Sequence, residues 1–451
     1  MTRPWLAVPF LSCLAVAWPA GCGDDGGTDD GRSDATGGDS ATVDGAADAD
    51  ARDDAGLPPD GDHPDGPDDQ AADDGGMDEG ASGDGGMDDG GTILDVVPRP
   101  LGVVADRQDL VADALGRLYL IRSVRRTLYA GRIEGLAVVD EVEVSAPELS
   151  GWAARPLAAV TPDGSRLHVV WVGPNAARAS RLHHAERDPA GVWREETVLD
   201  GGTSFYAEPA VAAGGDGTVH VVAQHWADGV DSQPVVYTWR NTAGTWSEPV
   251  RISPEAGAHR DIATFTDPAG GVHAVYAGLT HAYSRHAPPG TLLSDAPQLE
   301  IPKRDDHVNN FYGDLFVAPG GTVHRAMATW NRPAAEATID HSTRSPTGAW
   351  SVPEIASGGP LPSTLDIETR PAIGAARDGT VFILWGEADA DGHRCRLAVR
   401  EDGGWTVRTI DDTAGIGSQQ KPSVAVTDDA VTAVWRHDDG ELWIAELWRR
   451  P

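Results

Sequence analysis

The sequence predicts an all-β chain: a seven-bladed β-propeller of four-stranded antiparallel blades, closed by an N-terminal strand. Three observations predict it. A line made of a Gly turn, a β-branched residue and an alternating apolar run recurs seven times across residues 92–451. Its anchors Leu118, Leu167, Val219, Val272, Val323, Val381 and Val431 lie 49 to 58 residues apart, a period that suits four short strands per copy. The last copy stops one strand short, and an unclaimed strand precedes the first.

Residues 1–22, MTRPWLAVPFLSCLAVAWPAGC, carry an early Arg3, an apolar stretch from Trp5 to Trp18 and then small residues, the layout of a secretory signal. Residues 23–91 form a disordered tether in which 22 Asp and one Glu face two Arg. Such a segment buries too little apolar surface to offset its chain entropy, and repulsion among its acids extends it. It holds −21 of the chain's net charge of −35, so the remainder is only mildly acidic. The excess of 70 Asp+Glu over 35 Lys+Arg argues against nucleic acid or an anionic lipid surface as the main partner. Three Cys are too few for a disulfide scaffold. No Gly-rich phosphate loop, His-Glu-x-x-His, Gly-x-Ser-x-Gly or Cys-x-x-Cys occurs.

Residues 92–451 are the propeller. The second strands read GRLYLIR (116–122), SRLHVVWVG (165–173), GTVHVVAQHW (217–226), GGVHAVYAG (270–278), GTVHRAMATW (321–330), GTVFILWGE (379–387) and DAVTAVWRH (429–437). A first strand precedes the turn, as in RPLAAVT (155–161) and EPAVAA (208–213), and a third follows, as in RLHHAER (181–187) and RLAVRE (396–401). A fourth opens at Trp193, Trp246, Trp350 or Trp405. Period-2 alternation, β-branched residues and Gly/Pro punctuation all read as strands. The orphan strand TILDVV (92–97) resembles the fourth strand EETVLD (195–200), so it is expected to complete the last blade. Closure of that kind removes the sheet edges that otherwise invite aggregation.

Repeats of the type DGxVHVVW followed by GxW resemble the BNR/Asp-box-like propellers of the sialidase superfamily. The box pattern is Ser-x-Asp-x-Gly-x-Thr-Trp. Here Asp188, Asn241 and Ser345 stand five before Trp193, Trp246 and Trp350, while Gly191, Gly244 and Gly348 are shifted by one. The resemblance implies the fold and not an activity. Ala20-Gly21 before Cys22 resembles the lipobox of bacterial lipoproteins, with Pro19 where that family has Leu. It implies cleavage before Cys22 and lipidation of its thiol. Gly23 follows, not Asp, which implies an outer-membrane lipoprotein of the cell envelope, periplasmic or surface-exposed.

If the first strands start at the top, the second-to-third loops share that face. Aligning the seven openings gives Asp109, Arg155, Glu208, Asp261, Asp314, Arg370 and Lys421, all charged and placed around the mouth of the central channel. Two readings stand: a solvated ring of mutually paired charges, or a cluster at Glu208, Asp261 and Asp314 whose like charges raise a pKa or recruit a cation. Arg155 and Arg370 precede Pro, as in the Arg-Ile-Pro region of sialidases, where the resemblance implies a grip on a carboxylate. The top loops add His225, Trp226, Trp330, Asn331, Arg332, Arg436 and His437; Trp beside polar residues suits sugar or peptide recognition, or finishes a packed strand. Glu387, Asp389 and Asp391 alternate before Gly392, a spacing that fits a calcium loop or a plain polar one. His168, His220, His273 and His324 recur at one slot that Tyr119, Phe382 and Thr432 fill elsewhere, which reads as packing. Cys395 is expected to be buried and inert.

Two functions follow. One is a monomeric, lipid-anchored, non-catalytic recognition or scaffold module for glycan or protein ligands, with calcium as the one cofactor entertained. The other is a carbohydrate-active enzyme, a sialidase-like glycosidase or a polysaccharide lyase, which needs acid–base groups about 5–10 Å apart.

Overall fold

The computed structural model describes residues 91–451 apart from residue 126 and segments 145–153, 175–179, 201–204, 227–232, 255–259, 279–280, 305–308, 332–335, 346–347, 362–369, 390–391, 402 and 413–421. The signal-like segment, Cys22 and the tether lie outside the described residues.

Seven antiparallel sheets follow one another along the chain. Blade 1 is Arg107–Ala112, Leu118–Val124, Thr127–Glu134 and Ala137–Glu143; blade 2 is Ala154–Val160, Leu167–Pro174, Ser180–Arg187 and Trp193–Asp200. Blade 3 is Phe205–Ala213, Val219–Trp226, Val235–Arg240 and Val250–Arg251; blade 4 is Arg260–Thr266, Val272–Ala277, Ala282–Ala287 and Leu299–Ile301. Blade 5 is Asn309–Val317, Val323–Asn331, Glu336–Arg344 and Glu354–Ile355; blade 6 is Ala372–Ala375, Val381–Asp389, Gly392–Glu401 and Gly404–Asp411. Blade 7 is Ser423–Val426, Ala430–Arg436 and Glu441–Arg449, completed from the N-terminal side. Each first strand touches the first strand of the next blade, and blade 7 returns to blade 1, so the first strands line a closed ring.

The predicted closure forms with different bounds: of the expected strand 92–97 only Thr92–Ile93 is extended into the sheet, and Arg99–Val104 supplies the rest. Thr92–Ile93 and Arg99–Val104 both pair with Glu441–Arg449. The register moves from Ile93↔Trp448 to Arg99↔Ile444, so two extra residues bulge out around Pro98, which has no N–H for the ladder. Proline also shortens the fourth strands of blades 3 and 5. Pro249 and Pro353 interrupt them, leaving Val250–Arg251 and Glu354–Ile355 plus isolated bridges at Trp246 and Trp350.

The core lies between blades. Second strands are covered on both faces: Val272–Ala277 is buried throughout, and Trp171, Trp385 and Trp435, four residues after the anchor in three blades, are fully buried. Truncating one of these indoles costs about 3–5 kcal/mol on the large-to-small scale. Polar clamps add to the seams. Between blades 2 and 3, His168 Nδ1 meets His184 Nε2 at 3.1 Å, and His184 Nδ1 meets Glu196 Oε1 at 2.9 Å. Glu196 then faces Arg240 Nε of blade 3 at 2.9 Å. Between blades 5 and 6 the chain repeats as His324, His341, Glu354 and Arg400, at 3.2, 2.9 and 3.0 Å. Burial holds His168 well below the ordinary imidazole range and His324 at about 3, so these imidazoles are neutral. The histidine slot is thus interior, as its substitution by Tyr, Phe and Thr in other blades requires.

Candidate functional site

The first strands enclose a central cavity of about 460 Å3, lined from every blade and walled largely by Ala, Val, Leu and Ile, with Asp109 and Asp314 among its polar groups. Close approach is built in: a Cβ on Gly374 of blade 6 would sit 2.7 Å from Val424 Cγ1 of blade 7.

At the mouth, first strands break register with their second strands. Pairing jumps from Ala154 to Leu157, Ala207 to Ala210, Arg260 to Ala263 and Asn310 to Gly313. The residues thrown out include Arg155, Glu208 and Asp261 at equivalent positions. Pro156 and Pro209, which cannot donate to a ladder, share two of these bulges. Glu208 sits at φ 48°, a left-handed conformation costly for a residue with a Cβ. Its Oε1 lies 3.2 Å from Arg370 Nη2, with the Arg370 side chain 7% exposed and that of Glu208 19%. Blades 3 and 6 are not neighbours, so this ion pair crosses the mouth of the channel.

The ladders correct the alignment of the seven openings. Ala210 faces Val222, three after the anchor Val219; Asp109 faces Ile121 and Asp314 faces Ala326, each three after its own anchor. Asp109 and Asp314 therefore stand level with Ala210, two positions deeper than Glu208, and the seven charges do not form one ring. Asp109 and Asp314 instead each stitch their blade to the next. Asp109 Oδ2 accepts from Ala158 N at 2.9 Å, and Asp314 Oδ2 accepts from Ile373 N at 3.2 Å. Ser423 stands at the same depth in blade 7 and faces Gln108 O of blade 1 at 3.5 Å. Arg155 and Asp261 are placed by their backbones alone, and Lys421 lies outside the described residues.

The rim residues differ in fate. His225 stacks on Tyr206 with centroids 5.0 Å apart, and Trp226 is 38% exposed. Burial lowers the His225 pKa and raises that of Tyr206, which keeps one a neutral base and the other a protonated phenol. Trp330 is half-buried, Asn331 is buried, and Arg332 lies outside the described residues. His437 is buried, contrary to a place on a ligand face. Its Nε2 meets Asp411 Oδ2 at 2.6 Å, the same oxygen accepts from Trp435 Nε1 at 2.8 Å, and the ring stacks on Trp443 at 4.5 Å. Arg436 beside it is half-buried. Of the calcium candidates, Glu387 is buried near Trp385 Nε1 at 3.4 Å and Arg396 Nε at 3.6 Å. Asp389 pairs with Gly392 on a straight ladder, so its backbone does not wrap as a calcium loop does; its side chain and Asp391 lie outside the described residues. Cys395 is fully buried, and burial drives its pKa well up.

A cluster absent from the sequence reading lies at the far end of blade 4. His273 Nε2 and His286 Nε2 each lie 3.2 Å from Asp267 Oδ2. Ladder register was the signal that would have found it, because His273 stands directly opposite His286. Two imidazoles and a carboxylate are a familiar metal donor set. The rings, however, stack at 4.0 Å with planes 12° apart. An imidazole binds a metal through a lone pair in its own plane, so face-to-face rings aim parallel lone pairs and do not converge on one ion. The trio is a clasp on the turn, where Gly271 N donates to Asp267 Oδ1 at 2.8 Å.

No protein-family model matches the chain, and no curated protein matches it in sequence. Solved structures match it in fold. The chain is similar to a polysaccharide lyase of family PL25, an ulvan lyase (TM-score 0.50, 13% identity, 78% of this chain and 98% of that one). It is similar to polysaccharide lyase Uly1 (TM-score 0.48, 11% identity, 77% and 90%). It is also similar to the α-L-arabinanase of Penicillium chrysogenum (TM-score 0.45, 11% identity, 79% and 98%). At these identities the likeness is one of fold: a seven-bladed β-propeller with structural neighbours among polysaccharide lyase and arabinanase propellers.

Proposed function

We propose that this propeller is a glycan-recognition module of the cell envelope, held by a lipidated Cys22 on an extended acidic tether, and that it binds at the channel mouth. The observation that carries the reading is the Glu208–Arg370 pair, set on a strained bulge at the same end of blade 3 as exposed Trp226. A carboxylate accepts and a guanidinium donates, so the pair offers both halves of a vicinal diol's hydrogen bonding. An indole face supplies the apolar contact that a sugar ring seeks. Asp109 and Asp314 are committed to backbone N–H groups of neighbouring blades, which argues for binding over acid–base catalysis.

A second reading has its own observation. Neutral His225 stacked on protonated Tyr206, two residues from Glu208, suits β-elimination from a uronate polysaccharide. In that step His225 takes the proton α to the sugar carboxylate, the C4–O4 bond breaks, and Tyr206 gives its proton to O4. A panel of neutral and uronate polysaccharides, followed for both binding and ultraviolet absorbance of an unsaturated product, separates the two. Binding without product, weakened at least tenfold by Glu208→Gln and Trp226→Ala, is the expected outcome. Product formation abolished by Tyr206→Phe establishes the lyase, and no binding to any member overturns both.

A further inference from the structure

A cavity of about 410 Å3 opens between blades 1 and 2, at the end of the ring opposite the channel mouth. The repeat explains it. Arg187, Arg240, Arg344 and Arg400 occupy one position, each facing its blade's anchor on one side and a Trp on the other: Trp193, Trp246, Trp350 and Trp405. Ladder register fixes the residue of the preceding blade that meets each Trp. Between blades 2 and 3 it is His184, edge-on to Trp246 at 5.3 Å; between blades 5 and 6 it is His341, edge-on to Trp405 at 5.2 Å. Between blades 4 and 5 it is Ser284, whose Oγ accepts from Trp350 Nε1 at 2.8 Å. In both histidine seams a fourth-strand Glu beside the imidazole pairs with the Arg: Glu196 with Arg240 and Glu354 with Arg400.

In the first seam the same register puts Ala130 where the imidazole stands and Val142 where the Glu stands. The space that an imidazole and a carboxylate fill elsewhere is open, and Arg117, Tyr119, Arg132, Arg187 and Trp193 line it. Arg187 keeps the pose of Arg240. Its Nη2 lies 3.3 Å from where a Cβ on Gly191 would be, as Arg240 Nη2 lies 3.2 Å from that of Gly244. Arg117 is neutralised by Asp113, and Arg132 by Glu134 and Asp140. Among the described residues no carboxylate stands within ion-pair distance of Arg187. Arg187 is therefore the one arginine of the lining without a carboxylate at ion-pair distance among the described residues, and it stands beside an indole.

We infer that this cavity binds a single carboxylate carried on a ring-sized body, a uronic acid residue being its carbohydrate form. The carboxylate takes the place of Glu196 against the arginine, and the sugar ring takes the place of His184 against the indole. The two clamped seams are the template, since the protein there supplies from its own chain what the first seam lacks. The site lies at the other end of the ring from the channel mouth and does not rest on the reading given for it.

The test is calorimetric titration of the full chain with glucuronate, with glucose as the uncharged control. Binding of glucuronate and not glucose is expected. Arg187→Gln should weaken it at least tenfold. So should Val142→Glu, which restores the internal carboxylate and should also raise the melting temperature. Asp140→Asn, which removes a competing acid, should tighten it. A wild-type chain that binds neither sugar, or binds both equally, overturns the inference. So does glucuronate binding that survives Arg187→Gln and Val142→Glu in folded protein, or that is lost with Trp226→Ala, which would assign the ligand to the channel mouth.

Discussion

At the residue scale, chemistry here is decided by depth along a strand. Glu208 and Asp314 are both charged residues near the start of a first strand, yet they stand two positions apart in the ladder and do different work. Glu208 reaches across the channel to Arg370, and Asp314 takes the backbone N–H of Ile373. Replacing Asp314 or Asp109 with Ala leaves a neighbouring N–H without that acceptor, and each should cost about 1–3 kcal/mol in chemical denaturation. A substitution without loss at both sites would remove the stitching role. Sequence alignment slid at these two blades for a physical reason. Pro156, Pro209, Pro371 and Pro422 mark the opening in four blades, but Gln108 and Gly313 stand at that place in blades 1 and 5. Bulges that add residues to one strand only leave no trace in spacing.

At the element scale, the second strands carry the acid sensitivity. His220, His273 and His324 are buried on them with pKa values lowered by burial to about 4, about 4 and about 3. The unfolded chain binds protons at these sites near pH 6.5 and the folded chain does not. Their contribution is therefore complete above about pH 6.5 and is lost as pH falls toward 4 and 3, at about 1.4 kcal/mol per pH unit for each group. Denaturant midpoints should fall steadily over that window. His220→Phe, which copies Phe382 of blade 6 into blade 3, should flatten part of the slope; an unchanged slope would place the acid response elsewhere. The alternation and the Gly turns made these strands legible. The cross-strand partners that turn a buried histidine into a clamp were not, because the step from His168 to His184 and that from His273 to His286 differ in register by two residues.

At the scale of the whole molecule, one antiparallel joint holds the ring. Thr92–Ile93 and Arg99–Val104 lie on Glu441–Arg449, and Leu101 and Val434 share one apolar cluster with Leu110 and Leu120 of blade 1. Removing residues 92–104 exposes the edge of blade 7 and should lower the melting temperature by many degrees and promote aggregation; a melting curve unchanged by the deletion would show that the ring closes without it. The proposed anchor is tested independently. Cys22→Ser should move the protein from the membrane fraction to the soluble one, and retention in the membrane would rule out lipidation at that residue.

The number of blades, the order of strands within each and the closure of the ring are legible along the chain, because a period of about fifty residues carries them. Which charges meet across the channel, which histidines clamp a seam and which seam stands open emerge only when the blades pack against one another. Those outcomes depend on bulges and on contacts between blades, where residues 162 apart, such as Glu208 and Arg370, become partners. No local pattern encodes such a distance; it follows from closing the ring.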